Sequence, residues 1–327
     1  MNPAGTAGEV LVTGAAGFIG RHTVHAFHQA GYRVTALDLR EGPHHLAGAA
    51  TWARSDFTAP AVLDDVAAGS YQTVVHQAGI SDTRAPSGPH LDETNTLGPL
   101  RLADACRRGG ARLIYASSHA VYGTLFHRAP IAETADEDRA QCSGPLNSYA
   151  ASKLELDRQM RLRHGSGLQW IGLRYTNVVG PDEADKGPMA SILTQLLHQA
   201  AETGRLKIFE DSLTAARDYT PVDSVTAVLV ALASGPPAAP GLYNLGSGHA
   251  TSFADIAHWC ARWHRKTRGG ALMVELIPNP VASAYQYFTC ADMTALNAEL
   301  PGRSMQGPSE LEAYAAELFH LFREQAE

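Results

Sequence analysis

The sequence predicts an α/β protein built on a doubly wound parallel sheet with a smaller C-terminal lobe, and three observations carry that prediction. The first half of the chain alternates short aliphatic or β-branched runs with longer helical patterns, the signature of right-handed βαβ units. A glycine-rich turn stands between the first such run and the first helix. Beyond residue 175 the alternation loosens, and Gly, Pro and acidic residues thicken around 180–188, as a loop over a ligand requires.

Strands are expected at 9–13, 33–37, 71–76 and 112–116, with a weaker one near 51–54. Helices are expected at 19–30 and 95–108. A strand at 168–174 and another at 242–245, after the loop 236–240, extend the sheet to about seven strands. Phe253, Ile256, Ala257, Cys260 and Trp263 fall near i, i+3, i+4 and i+7, so 252–265 reads as an amphipathic helix with a buried face. This divides the chain into a dinucleotide-type domain, 1–175 with 215–246 returning to it, and a lobe made mainly of 176–214 and 247–327.

With 327 residues, core size is not limiting. A hydrophobic content of 45% against 18% charged residues is ordinary for a soluble globular protein, and no window approaches the roughly 20 apolar residues of a membrane span. Residues 1–9 lack a basic n-region and an apolar h-region and read as a short disordered lead-in, so a cytoplasmic protein is expected. A net charge of -7 argues against nucleic acid, whose binding needs clustered Lys and Arg. Cys106, Cys142, Cys260 and Cys290 lack redox-pair or zinc-knuckle spacing and read as reduced, buried thiols. His22, His25 and His28 spread around a helix without a carboxylate at ligand spacing, and His44-His45 lies in a polar loop; no metal site is expected.

The run Thr13-Gly14-Ala15-Ala16-Gly17-Phe18-Ile19-Gly20 follows a strand and opens a helix. Gly14 allows the tight turn, Gly17 lets the backbone approach a pyrophosphate, and Gly20 lets the helix pack on the sheet. That is a Rossmann-type cradle, with the phosphates at a helix N-terminus beside Phe18 and Ile19. Asp38, eighteen positions after Gly20, is placed to accept from ribose hydroxyls and to repel a 2′-phosphate, favouring NAD over NADP. Arg40 points the other way and leaves NADP open. Asp56 and Phe57 would hold the adenine edge and face, or Asp56 would simply cap a helix. Gln77, Ala78, Gly79 and Asn95 complete the expected cofactor set.

Tyr149 and Lys153 stand at i and i+4, one turn apart on one helix face. A phenol is a weak base at neutral pH, but a nearby cation stabilises the phenolate, and the lysine would also reach the nicotinamide ribose. Ser118 ends the fifth strand, on the rim where open α/β sheets keep their sites; its other reading is a turn cap.

The Gly-x-x-Gly-x-x-Gly spacing with Ser118, Tyr149 and Lys153 resembles the extended short-chain dehydrogenase/reductase, or NAD-dependent epimerase/dehydratase, family over essentially the whole chain. From Arg174 onward, Arg-Tyr-Thr-Asn177 through Lys186-Gly187-Pro188-Met189-Ala190-Ser191 is similar to the segment of ADP-L-glycero-D-manno-heptose 6-epimerases that carries a second catalytic lysine. Echoes follow at 206–212, 217–219, 243–248 and 285–289, while Thr176 and Pro188 depart from the residues usual there. The resemblance implies a nucleotide-sugar epimerase and a homo-oligomer joined through the helices near 95–108 and 149–164. Its catalytic set would be Ser118, Tyr149, Lys153 and Lys186, with Asn177, Met189, Phe209, Arg217 and Tyr285 on the substrate, ADP-heptose first among candidates. Lys186 has a blander reading, a solvated charge among Asp182, Glu183 and Asp185. Sugar dehydratases of this family carry Asp-Glu directly after the serine; here His119-Ala120 stands instead, which disfavours water elimination. Another nucleotide-sugar 4-epimerase or ketoreductase is the alternative, and the intact Ser118, Tyr149 and Lys153 count against a non-catalytic cofactor-binding regulator.

Overall fold

The computed structural model describes residues 8–302 and 307–326. The lead-in expected at 1–9 lies outside them except at its end, where Glu9 already opens the first strand. In chain order the elements are β1 (Glu9–Thr13), α1 (Phe18–Gln29), β2 (Arg33–Asp38), β3 (Thr51–Arg54), α2 (Pro60–Ala67), β4 (Thr73–His76), α3 (Pro89–Asp92), α4 (Gly98–Gly109), β5 (Arg112–Ser118) and α5 (Ser148–Arg161). There follow β6 (Trp170–Tyr175), β7 (Asn177–Val179), α6 (Ile192–Thr203), β8 (Arg205–Phe209), β9 (Ala216–Pro221), α7 (Val222–Ser234) and β10 (Gly241–Leu245). The chain closes with β11 (Ala250–Ser252), α8 (Phe253–Arg268), β12 (Met273–Ile277), α9 (Thr294–Glu299) and α10 (Pro308–Ala326).

Seven strands form one parallel sheet in the order β10-β6-β5-β4-β1-β2-β3. The winding direction reverses between β1 and β4, and the crevice beyond their C-terminal ends is where a doubly wound sheet receives ligands. Both faces of the sheet are covered, so all four residues of β4 are buried. Successive β1 side chains alternate: Val10 and Val12 pack with Phe18, Val24 and Phe27 of α1 and Val225 and Leu229 of α7. Leu11 turns to the opposite core with Val66 of α2, Leu102 of α4 and Leu156 of α5.

A second apolar cluster joins Leu193, Leu196 and Leu197 of α6, Phe253, Ile256 and Trp263 of α8, and Leu318 and Phe319 of α10. The expected apolar face of α8 is buried at Phe253, Ile256, Cys260 and Trp263, while Ala257 is partly covered. Two smaller sheets, β11-β9-β7 and β12-β8, flank this cluster.

The helix expected at 95–108 departs from regularity. Residues Glu93–Leu97 form a π-helical turn, and α4 begins only at Gly98. Pro99 supplies the reason: it has no N–H to give the Asn95 carbonyl, so the first turn widens. Among the described residues, no helix is long and apolar enough to cross a membrane, and no group of three His, Cys, Asp or Glu is placed to hold a metal. The four cysteines are free and buried.

Candidate active site

A cleft of about 1030 Å³ opens at the sheet's switch point, bordered by the glycine turn, the ends of β4 and β5, α5 and the segment 182–192. Gly14 holds φ 68, and a Cβ there would stand 2.5 Å from the Ala78 nitrogen. A Cβ on Gly20 would stand 2.0 Å from the Gly14 carbonyl, so α1 meets the turn with no room for a side chain. Gly17 caps α1 with no side-chain cap hydrogen bond and no acidic residue in the first turn. The amides at that end, with the positive end of the helix dipole, therefore face the cleft and fit a pyrophosphate.

At the end of β2, Asp38 accepts from the Ala16 N–H at 3.0 Å and from the Arg40 N–H at 3.0 Å. The Arg40 guanidinium folds back onto the same carboxylate at 3.1 Å, so the two residues with opposite implications for NADP neutralise each other. Asp56 accepts from both the N–H and the hydroxyl of Thr58 at 2.8 Å. The N-cap of α2 is Ala59, so Asp56 makes a turn ahead of the helix and does not cap it. Phe57 borders the cleft with its ring 4.7 Å from that of His76. Gln77, Ala78 and Gly79 also line it, Gln77 donating to the Tyr175 hydroxyl at 2.9 Å. Asn95 needs correction: it is fully buried behind the wall, accepting from the Ile80 N–H at 2.8 Å and donating to the Ile80 carbonyl and Ser152. It braces the loop after β4 and does not line the cleft.

Ser118 accepts from the Ala120 N–H at 3.1 Å, capping the short turn His119–Tyr122, and borders the cleft together with Tyr149. Its reading as a turn cap is therefore met in the structure. Asn147 caps α5 through the Ala150 N–H at 2.9 Å, which brings Tyr149 and Lys153 onto one face at the cleft. Lys153 is 4% exposed and donates to the Ala116 carbonyl at 2.9 Å. Burial pulls its ammonium down to about 8, opposed by the nearby Asp157 carboxylate. A phenol lowered by this cation is expected from the sequence; instead, burial raises Tyr149 above its ordinary range, with Ser118 acting against it. In the protein alone Tyr149 is a proton donor.

Beneath these residues lies a charge network that the motif reading passed over. Asp157, one turn beyond Lys153 on α5, accepts from Tyr115 at 3.1 Å, Ser117 at 2.9 Å and Arg174 at 2.8 Å. Arg174 is fully buried and also pairs with Asp136 at 2.7 Å and the Tyr122 hydroxyl at 2.9 Å. The i+4 spacing of Lys153 and Asp157 was the available signal for one partner; Asp136 comes from a distant loop. His119 is buried, with Nε2 3.3 Å from the Cys290 carbonyl, and burial takes it down to about 4.

At the other end of the cleft, Lys186 sits in the turn Glu183–Met189, 3.9 Å from Glu183 and 5.8 Å over the Phe18 ring. Asp182 and Asp185 do not surround it, because Arg21 pairs with both, at 3.4 and 3.2 Å. Asn177 donates to the Asp218 carbonyl at 3.1 Å. Arg217 stacks 4.9 Å from the Tyr285 ring, and Phe209 meets the same ring edge-on at 5.6 Å. Two Arg217 donors, Nε and Nη2, are held by the Gln286 carbonyl at 3.2 and 2.9 Å, so the expected bidentate phosphate grip would require leaving it. Met189 lies 3.9 Å from the Thr83 hydroxyl. All five residues expected on the substrate border the cleft, as do Gln286 from the 285–289 echo and Thr83 and Arg21, which the sequence did not single out.

Residues 10–246 match the NAD dependent epimerase/dehydratase family. The chain belongs to that family.

Together with the relatives it resembles, this makes the chain an NAD-dependent nucleotide-sugar epimerase, an isomerase. It is 30% identical over 299 residues to an ADP-L-glycero-D-manno-heptose-6-epimerase of Brachyspira hyodysenteriae, covering 88% of this chain and 91% of that one. Among solved structures it is similar to the Helicobacter pylori enzyme of the same name, with a TM-score of 0.81, 26% identity and 97% and 96% of the two chains covered. The Thermus thermophilus UDP-glucose 4-epimerase in complex with NAD gives a TM-score of 0.75 at 25% identity, covering 95% and 99%.

Proposed function

We propose that this epimerase inverts a carbinol carbon of a nucleotide-sugar by transient oxidation to a ketone and re-reduction, with an ADP-glycero-manno-heptose inverted at C6 as its substrate. The observation that carries the reading is the presence of two proton-handling side chains on different walls of one cleft: Tyr149 on α5 and Lys186 over the N-terminal end of α1. When bound, NAD supplies a hydride acceptor and returns the same hydride, so the reaction is redox-neutral. Gly14, Gly17 and Gly20 would hold its pyrophosphate, and Asp38 its adenosine ribose. Inversion needs a proton acceptor on the face that loses hydride and a donor on the face that regains it. Tyr149 and Lys186 would each serve one orientation of the ketone: on one wall the side chain in its basic form takes the hydroxyl proton as hydride leaves, and on the other the protonated side chain returns one as hydride comes back. Ser118 would hold the reacting oxygen, and Asn177, Met189, Phe209, Arg217 and Tyr285 the sugar and its diphosphate. Elimination of water has no support: after Ser118 stand a buried neutral histidine and an alanine, with no carboxylate to take a proton.

Incubation with ADP-D-glycero-D-manno-heptose and NAD, followed by proton NMR, is expected to yield the C6 epimer. No interconversion by protein that retains cofactor would sink the proposal. Conversion with full rate retained in Lys186→Ala would move the assignment to a 4-epimerase or ketoreductase type that works with Tyr149 and Lys153 alone. The same proposal includes the lobe of 176–214 and 247–327 as the substrate side, acceptance of NADP once Arg40 leaves Asp38, a homo-oligomer joined through α4 and α5, and a cytoplasmic site of action. Light scattering tests the assembly, and titration with each dinucleotide tests the cofactor preference.

A further inference from the structure

Three acids precede Lys186 within four positions, and the structure sorts them. Glu183 turns inward, 1% exposed, accepting from the Ser191 N–H at 2.6 Å, the Ser191 hydroxyl at 3.0 Å and the Thr194 hydroxyl. Asp182 and Asp185 turn outward onto a single nitrogen, Nη1 of Arg21. The Arg21 side chain is 16% exposed, while Asp182 and Asp185 are 41% and 66% exposed, so the guanidinium is sheltered and the carboxylates reach it from the solvent side. Beside them, His22 Nε2 lies 3.1 Å from the Pro181 carbonyl, where the turn begins. Asp182 holds φ 67, a conformation that a residue with a side chain keeps only when its surroundings over-determine it. Arg21 and His22 both belong to α1, whose N-terminal end is the phosphate cradle.

We propose that Arg21 is a positioning residue for Lys186: by drawing Asp182 and Asp185 onto α1 it leaves Glu183 as the lysine's only ion-pair partner among the described residues and fixes the lysine turn to the cofactor-binding helix. The inference rests on the reading of Lys186 as an acid/base and adds what aims it. One rigid element then references both the cofactor and the proton-handling group, so the distance between them is set within α1 and its two salt bridges. Misplacement of such a group by about 1 Å can cost on the order of a hundredfold in rate.

The test uses the full chain with Arg21→Ala and Arg21→Lys. Amide exchange is read at Glu183, Asp185 and Ala190, whose N–H groups close this turn. With NAD bound, Arg21→Ala is expected to speed exchange at these amides and to lower kcat on ADP-D-glycero-D-manno-heptose by roughly ten- to a hundredfold. KM and the NAD-induced rise in Tm should stay near wild type, and Arg21→Lys should recover part of kcat. Should Arg21→Ala fail to fold, the Asp182→Asn/Asp185→Asn double variant removes the same contacts from the loop side and carries the same expectation. Wild-type exchange in these variants, or faster exchange with undiminished kcat, overturns the proposal. Full activity in Lys186→Ala would instead overturn the catalytic reading, and exchange would still decide whether Arg21 holds the turn.

Discussion

Lys153 carries a pH signature that can be read separately from turnover. Its folded-state ammonium titrates near 8 against 10.5 for the free side chain, because it is buried. A lowered base means that the unfolded chain holds the proton more tightly, so the penalty is full below pH 8 and fades as pH rises toward 10.5. The stability difference between wild type and Lys153→Met should therefore move in favour of wild type across that window, measured by urea midpoints. A constant difference would show that Lys153 is less desolvated than the cleft implies. Tyr149→Phe removes only the phenol oxygen, and turnover should fall about a hundred- to ten-thousandfold with little change in Tm. Ser118, Tyr149 and Lys153 were legible in the sequence because their spacing is local to one helix and one strand end. The direction of the Tyr149 shift was not, since it depends on burial by segments far along the chain. The partner of Asp182 and Asp185 was equally hidden, Arg21 lying 164 positions from Asp185.

At the scale of elements, α1 and α5 position the chemistry, and each has a single weak point. Asn147→Ala removes the side-chain cap of α5, which should cost about 1 kcal/mol in chemical denaturation and loosen the turn bearing Tyr149. Gly20→Ala drives a Cβ toward the Gly14 carbonyl, whose place in the cradle is backbone and cannot swing away. A loss of about 1–3 kcal/mol is expected, together with a loss of NAD-induced thermal stabilisation in differential scanning fluorimetry. The seven strands of the main sheet and the first helix were readable from the sequence pattern to within two residues, whereas β7, β8, β9, β11 and β12 of the smaller sheets were not expected. The π turn at Glu93–Leu97 was not, although Pro99 was in plain view, because a proline near a helix start is ordinarily tolerated. Asn95, expected among the cofactor residues, lies within that turn and is engaged by Ile80 and Ser152 behind the wall.

For the whole molecule, the Arg174 network links β5, β6, α5 and the loop containing Asp136. Arg174→Met would leave the buried Asp157 without its guanidinium, while Asp136 keeps Arg161 at 3.0 Å, and global unfolding should become easier by about 3–5 kcal/mol. Equal urea midpoints for the two proteins would remove the network from the account of stability. The sheet order was foreseeable from the βαβ pattern and the glycine turn. The second apolar cluster was not, because its partners on α6, α8 and α10 come from separated segments whose faces meet only in three dimensions.

His119 sets a limit on how this cleft could acquire new chemistry. Its ring packs edge-on against Tyr122 at 4.8 Å, and the side chain lies beneath the rim with 2% exposure. Writing Asp-Glu over His119-Ala120 would put the first carboxylate where a ring 2% exposed now packs on Tyr122, and burying a charge there is costly unless donors are built to meet it. Within a family that contains both epimerases and dehydratases, a passage between the two from this chain would begin with rebuilding the packing around Tyr122 and Cys290. The exchange of catalytic residues could come only after it.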